Sequence, residues 1–337
     1  VDPDGGKKDE NGNSVTSRPG EDGGSTDVHF KTNTVAETEY EYFLFRNNKN
    51  YQETANENGW GSFVDAAWEA VKGTNVVQVF TTGNRDLVHP FYRPLYPYFN
   101  PDAEQNWIAV AGLEKDNGDG DSAHYSIIET FNEAGNAKWW TVVAPGDNIY
   151  SSAVVEGSYV MPGEGEGEGK ELGDYTYASW GGTSMAAPHV TGAMGVLMSR
   201  YQDMNAIQVR SILFTTANHY NPDGSVFGDV NGDGIEQEGE DWWKAEDGQV
   251  DDRYGWGAPD LEKGMYGPGQ FLGKFEYNMA KTSLDVWSND ISQVAMDQRY
   301  EEDQAWLKAA KEWLENPTKE MTEEQKRALK DKLEAAT

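Results

Sequence analysis

The chain has 337 residues, enough for one large domain or two small ones, and 37% of them are apolar, ample for a buried core. Its formal charge of −31, from 58 acidic against 27 basic residues, repels phosphate backbones and anionic lipid, so neither nucleic acid nor a membrane surface is an expected partner. It has no cysteine, which excludes disulfides, thiolate catalysis and zinc–thiolate sites.

Residues 1–27 are Gly, Asp, Asn, Ser and Glu with almost nothing apolar, the composition of a disordered arm or long loop. The opening VDPDGGKKDENGNS has no basic n-region and no apolar h-region, so no signal peptide is legible. No run of about 18 apolar residues suggests a membrane span. YEYFLF, Tyr40 to Phe45, is the first expected strand, so residues 1–50 read as an arm plus one strand.

A helical pattern follows over Phe63 to Val71, then the apolar run NVVQVF, Asn75 to Phe80, which stops at TTGN. After a Pro-rich aromatic loop come WIAVAGL, Trp107 to Leu113, and WWTVVAPG, Trp139 to Gly146, two further strand-like runs. Apolar runs without alternation, interleaved with helices, predict an α/β fold with a mainly parallel sheet and helices on both faces. MPGEGEGEGKELG, Met161 to Gly173, brings no side chains that can pack and reads as a flexible surface loop.

YASWGGTSMAAPHVTGAMGVLMSRY, Tyr177 to Tyr201, places Ser184 after two glycines and before an apolar run rich in small residues. Glycines allow a sharp turn and close backbone approach, so the serine is expected at a helix N-terminus, where outward N–H groups can hold a developing oxyanion. Pro188 is placed in the first turn, and the helix, apolar nearly all round, is predicted to be central and buried. From these residues alone Ser184 reads first as an N-cap, the commonest fate of a serine there. His189, five residues on, points well away from Ser184 at about 100° per residue, so it is not the serine's base.

A second helix is expected over Asn205 to Ala217. Beyond residue 272 the composition shifts to Glu, Lys, Ala, Gln and Leu. A stripe of Ile291, Val294, Leu307, Ala310, Trp313 and Leu314, broken at Asn316 and Pro317, predicts a C-terminal helical tail over 273–337, read as a linker or stalk. Thr322 and Gln325 carry a capping-box signature for a last helix.

DVNGDGIEQEGE, Asp229 to Glu240, fits an acidic calcium loop, with Asp229, Asn231, Asp233, Ile235 (by its carbonyl) and Glu240 as ligands and Gly234 at the sharp turn. Glu236 occupies a position that is usually apolar, and no helix is expected to enter the loop. A merely acidic surface loop is the other reading. DNGDGD, Asp116 to Asp121, is a weaker instance.

GTSMAAPHVTGA, Gly182 to Ala193, resembles the nucleophile motif of subtilisin-like serine peptidases, the subtilases. VVQVFTTGNRD, Val76 to Asp86, and NEAGNAKWWTVVAPGDNIYSS, Asn132 to Ser152, are similar to the family's oxyanion strand and its segment before the nucleophile, in the family's order. The likeness runs from about Trp60 to Leu272 and places a peptidase domain at residues 51–272. It implies a subtilisin-like α/β fold, a peptide or protein substrate, Ser184 as nucleophile, Asn84 as side-chain oxyanion donor, Gly83 shaping the specificity pocket and His189 as structural. DRYGWGAPDLEKGMYGPGQF, Asp252 to Phe271, resembles the domain's end in autotransporter passengers, implying an exported bacterial protein, extracellular or on the cell surface.

Acyl transfer by serine also needs a histidine and an orienting carboxylate, and the family's Asp-Thr/Ser-Gly and His-Gly-Thr-His segments have no counterpart here. None of His29, His89 and His124 has Gly and Thr beside it, and His219 fits a helix C-terminus. The chain therefore reads as a serine endopeptidase fragment that begins downstream of its catalytic Asp and His and turns over poorly alone. A catalytically inactive subtilase-like surface or binding module is the alternative, and a calcium-dependent structural module a third.

Overall fold

The computed structural model describes residues 63–117, 122–127, 130–154, 175–237, 240, 242–246, 248–266 and 293–315, with residues 330 and 333. The expected arm, the strand at Tyr40 to Phe45, the loop at Met161 to Gly173, the helix stop at Asn316 and Pro317 and the capping box at Thr322 lie outside them.

Helix α1, Phe63–Val71, buries Val64, Trp68 and Val71, one stripe at helical spacing. It leads into β1, Gln78–Thr81. β2, Trp107–Asn117, runs parallel to β1, with Val79 opposite Ile108, and parallel on its other side to β4, Thr141–Pro145, with Val110 opposite Val142. β3, His124–Ser126, adds an antiparallel edge to the far end of β2. Trp107, Ile108, Ala109, Val110 and Ala111 are each 0% exposed. Successive side chains of a strand face opposite ways, so both faces of this sheet are covered, which is why the run reads as continuously apolar.

α2, Tyr92–Phe99, occupies the segment expected as a Pro-rich loop. Pro97 removes the N–H that would bond the Arg93 carbonyl, a cost that normally breaks a helix. The Trp107 indole N–H donates to that carbonyl at 2.9 Å and makes the helix tolerable, while Leu95 and Tyr96 anchor it in the core. A compensation from outside the segment is invisible to a local reading.

A second sheet pairs β5, Ile149–Val154, with β6, Tyr175–Trp180, antiparallel, Ile149 opposite Trp180. Within it Tyr150 stacks on Tyr177 at 5.3 Å between ring centroids. The sequence reading missed this hairpin because serine and alanine supply much of its pattern.

α3, Thr183–Arg200, follows at once and packs on β1, β2 and β4. Thr183, Ala186, Val190, Ala193, Met194 and Leu197 are buried. Ser184, Pro188, Thr191, Gly192, Gly195 and Met198 are exposed, so the helix is buried on one side only, not all round as its composition predicts. Pro188 sits in the second turn rather than the first.

α4, Ala206–Thr215, starts on a capping box in which Asn205 and Gln208 exchange bonds at 2.9 and 3.0 Å. Within it Arg210 is buried, its guanidinium 4.2 Å over the Phe214 ring and its Nε donating to the Trp107 carbonyl at 2.7 Å. Burial pushes this group down to about 10.

After the short α5, Leu261–Tyr266, the tail forms α6, Gln293–Glu315. The N-terminal half of α6 is bonded to the body. Ala295 is fully buried, Gln298 exchanges bonds with the Val250 backbone at 2.8 and 2.9 Å, and Arg299 forks onto Glu104 with two contacts of 2.7 Å. Lys138 reaches both Asp252 and Glu302. The expected stripe holds at Leu307 and Ala310 but not at Val294, which is exposed beside buried Ala295. Ahead of Leu307 docking runs mainly through polar groups, and an apolar stripe cannot reveal that.

Candidate active site

Parallel strands bring their carboxyl ends to one edge, and in an open α/β sheet ligand groups gather beyond that edge. β1 ends there in Thr82, Gly83 and Asn84. β4 ends there in Gly146, whose carbonyl accepts the Gly182 N–H at 2.7 Å and so fixes the turn into α3.

Gly182 caps α3 at φ +145, a conformation nearly restricted to glycine, and no side chain caps the helix. Ser184 is the helix's second residue, so the N-cap reading does not hold. Its side chain is exposed. The adjacent N–H groups are spent, that of Thr183 on Asn84 and that of Met185 on the Gly182 carbonyl, both at 2.9 Å. The Ser184 N–H, in the first turn, has no helical carbonyl to meet.

Asn84 faces this helix start. Its Oδ1 accepts from both the backbone N–H and the hydroxyl of Thr183, each at 2.9 Å, and the Thr183 oxygen accepts the Gly83 N–H at 3.3 Å. An N–H can bond only the oxygen of a carboxamide, so these contacts fix which way the amide points. Its Nδ2 is left as a donor without a partner among the described residues. A Cβ on Gly182 would stand 3.3 Å from that Nδ2 and 3.8 Å from the Ser184 nitrogen, so the glycine keeps open a space flanked by two unspent donors. This is what an oxyanion hole requires.

Gly83, at φ +115, adopts another conformation that favours glycine. A Cβ there would press on the Phe91 ring at 2.5 Å and on Asn132 at 2.8 Å, so the missing side chain faces the interior and lets the turn close. Thr183 and Asn132, both 0% exposed, are site residues that the sequence reading passed over. Thr183 was legible as Ser184's neighbour. Asn132, distant in sequence, left no local signal.

Beside Ser184 a groove of about 440 Å³ opens between the hairpin and α3, lined by Ile149, Trp180, Met185, Pro188 and His189 among others. His189 is exposed and its Nδ1 donates to the Met185 carbonyl at 2.9 Å, so it is bound to its own helix. His89 is buried and its Nδ1 accepts the Asn136 N–H at 3.1 Å, whereas His219 stacks on Trp243 at 4.3 Å. Among the described residues no histidine is hydrogen-bonded to Ser184. His29 lies outside them.

The acidic loop is closed on itself. Asp229, 1% exposed, accepts the Gly232 and Gly234 N–H groups at 2.7 and 3.1 Å. Asn231 accepts from Asp233 N–H at 2.9 Å, Asp233 from Ile235 N–H at 2.8 Å, and Glu240 from Gln237 N–H at 2.8 Å. Among the described residues no three or more His, Asp or Glu groups are arranged to hold a metal. Most of DNGDGD lies outside the described residues.

His124 pins this loop. Its Nδ1 donates to the Val230 carbonyl at 2.8 Å and its Nε2 meets an Asp223 carboxylate oxygen at 2.7 Å. The Val230 carbonyl and the Asp223 carboxylate raise the imidazole above its usual range, against burial, while bonds from Ser225 and then His124 hold Asp223 down at about 2. The raised histidine stabilises the fold fully below its unfolded value and loses this as pH rises through its folded value. The lowered aspartate contributes above its unfolded value and loses this only as pH falls towards about 2. Nuclear magnetic resonance titration is therefore expected to find His124 titrating above the usual histidine range, with Gly232, which packs against its ring, shifting alongside it.

A model of the subtilase family matches residues 24–257. Serotype-specific antigen 1 of Mannheimia haemolytica is 28% identical over 221 residues, covering 66% of this chain and 19% of that protein. The extracellular serine protease of Serratia marcescens is 30% identical over 200 residues, 58% of this chain and 16% of that one. The chain thus spans about a fifth or less of these relatives. Among solved structures, fervidolysin from Fervidobacterium pennivorans is 27% identical, covering 51% of this chain and 25% of its own, at a TM-score of 0.33. The patellamide maturation protease PatA is 17% identical at a TM-score of 0.38, covering 64% of this chain and 58% of its own. At such scores neither carries the assignment, which rests on the family match. No helix among the described residues is long and apolar enough to cross a membrane.

Proposed function

The chain belongs to the subtilase family, and on that footing we propose that it carries the nucleophile and oxyanion hole of a serine endopeptidase. The Ser184 oxygen attacks the carbonyl carbon of a peptide bond and its proton passes to a base. The carbonyl oxygen becomes an oxyanion held by Asn84 Nδ2 and the Ser184 N–H. As the tetrahedral species collapses, the amine takes up the proton and leaves, and water then hydrolyses the acyl-serine. One observation carries this reading: Asn84 spends its oxygen on Thr183 and leaves its nitrogen free beside the first turn of α3.

On this reading the base and its carboxylate are not among these 337 residues, which lack the family's Asp-Thr/Ser-Gly and His-Gly-Thr-His segments, so the chain alone turns over poorly. Gly83 contributes to the specificity pocket through its backbone, and the peptidase domain is set at residues 51–272 with the tail at 273–337. The sheet with helices on both faces belongs to the same reading. Similarity to an extracellular serine protease and to a Neisserial autotransporter lipoprotein supports an exported protein, outside the bacterial cell or on its surface. The inactive binding module is the second reading, favoured by the lack of a histidine on Ser184 among the described residues.

The test uses imidazole as an external base, since Ser184 is exposed and its groove open. The isolated chain is expected to label weakly with a fluorophosphonate. Added imidazole should support hydrolysis of a p-nitrophenyl peptide ester that Ser184→Ala abolishes. Absence of any Ser184-dependent increment leaves the binding module, whereas rapid labelling without imidazole places a base in the chain.

Calcium at Asp229, Asn231, Asp233, Ile235 and Glu240 is a separate proposal, supported by the spacing and the sharp turns at Gly232 and Gly234. Titration with calcium chloride is expected to give a binding heat that Asp233→Ala removes, and a flat trace ends the proposal.

A further inference from the structure

Asn84 owes its position to a brace that makes no hydrogen bond with it among the described residues. Asn132 is fully buried and bonds the residues on either side of Asn84 four times. Its Nδ2 donates to the Thr82 carbonyl at 3.0 Å and its Oδ1 accepts the Arg85 N–H at 2.9 Å. Its backbone N–H donates to the Gly83 carbonyl at 2.9 Å, and its carbonyl accepts the Thr82 hydroxyl at 2.8 Å. Both backbone bonds survive any side-chain change, but the bonds to the Thr82 carbonyl and the Arg85 N–H belong to the carboxamide alone.

The turn needs such a brace. Gly83 at φ +115 and Asp86 at φ +52 put two left-handed residues within four positions, an arrangement that persists only when its surroundings fix it. On the other side, among the described residues, the Asn84 side chain is held through Thr183 alone, so its Nδ2 is aimed by two buried polar side chains acting from opposite ends. We propose that Asn132 is the positioning residue of the oxyanion hole: it acts on the reaction only by holding the 82–85 turn so that Asn84 Nδ2 points at the developing oxyanion. This rests on the reading of Ser184 as nucleophile.

The decisive substitution is Asn132→Asp, which keeps the shape and the acceptor for Arg85 N–H but removes the donor to Thr82 and sets a carboxylate against that carbonyl. The readout is a double-mutant cycle on the imidazole-supported ester hydrolysis. Asn132→Asp is expected to lower the maximal rate about 10- to 100-fold with little change in KM, the scale of a displaced catalytic group. In an Asn84→Ala background the same change should cost less than about 2-fold, because the group it positions is gone. An equal loss in both backgrounds, or none in the first, overturns the proposal. If the chain shows no Ser184-dependent hydrolysis, the peptidase reading has failed, and the Asn84 side-chain amide resonance decides on the brace. A shift or broadening of that resonance in Asn132→Asp, with the His189 ring signals unchanged, upholds the brace. An unchanged Asn84 amide overturns it.

Discussion

Asn84→Ala is expected to reduce imidazole-supported acylation of Ser184 by about 10²- to 10³-fold while leaving KM nearly unchanged. The magnitude is that of subtilisin, a member of this family in which the corresponding donor has been removed; the geometry here supplies the direction. The donor exists for the transition state, since a ground-state carbonyl carries little charge and an oxyanion carries a full one, so its loss appears in the rate rather than in binding. Alanine also leaves the Thr183 N–H and hydroxyl without their shared acceptor, a cost of about 1–3 kcal/mol for a buried donor that is not reached by water. Asn84→Asp separates the two effects. It keeps the acceptor for Thr183 and the stability, removes the donor, and sets a negative charge where the oxyanion forms. Urea unfolding alongside the rate measurement distinguishes them: alanine should lose both rate and stability, aspartate only rate.

Gly182→Ala is expected to abolish the same reaction to within about 10²-fold of the limit set by Ser184→Ala, although it adds a single methyl group. Two causes combine. The backbone at φ +145 lies where side-chain-bearing residues pay about 1–3 kcal/mol, and the helix start relaxes away from it. The methyl itself would stand 3.3 Å from Asn84 Nδ2 and 3.6 Å from the Met185 sulfur, inside the space that the oxyanion must enter. Gly195→Ala on the same helix is the control. Nothing lies within 4 Å of its Cβ position, so it should keep the rate and gain up to about 1 kcal/mol of helix stability.

What the sequence disclosed and what it hid divide along a physical line. The placement of Ser184 at a helix start was legible because glycines before an apolar run are particular local chemistry, whereas Asn84 was singled out by the family resemblance and not by its Gly-Asn turn. The central strand read correctly because burial on both faces leaves an uninterrupted apolar run, as Trp107 to Ala111 display. Asn132 was hidden because its meaning lies in four bonds to residues far away in the chain. α2 was hidden because Trp107, not its own sequence, offsets Pro97. The tail's docking was hidden because Gln298, Arg299 and Glu302, polar residues on an outwardly ordinary helix, carry it.

The exposed side of α3 has a colloidal consequence. Val196 and Met198 are 39% and 41% exposed, and Tyr150, Tyr177 and Trp180 on the neighbouring hairpin are each more than 60% exposed. Exposed apolar area of this kind draws molecules together. Opposing it is the charge of −31, which keeps them apart at neutral pH and low salt. The two forces scale differently: salt screens the repulsion within about 10 Å at 0.1 M and leaves the apolar attraction intact. Solubility of the chain should therefore be an electrostatic property, secure in dilute buffer at neutral pH and lost in strong salt or where the carboxylates take up protons.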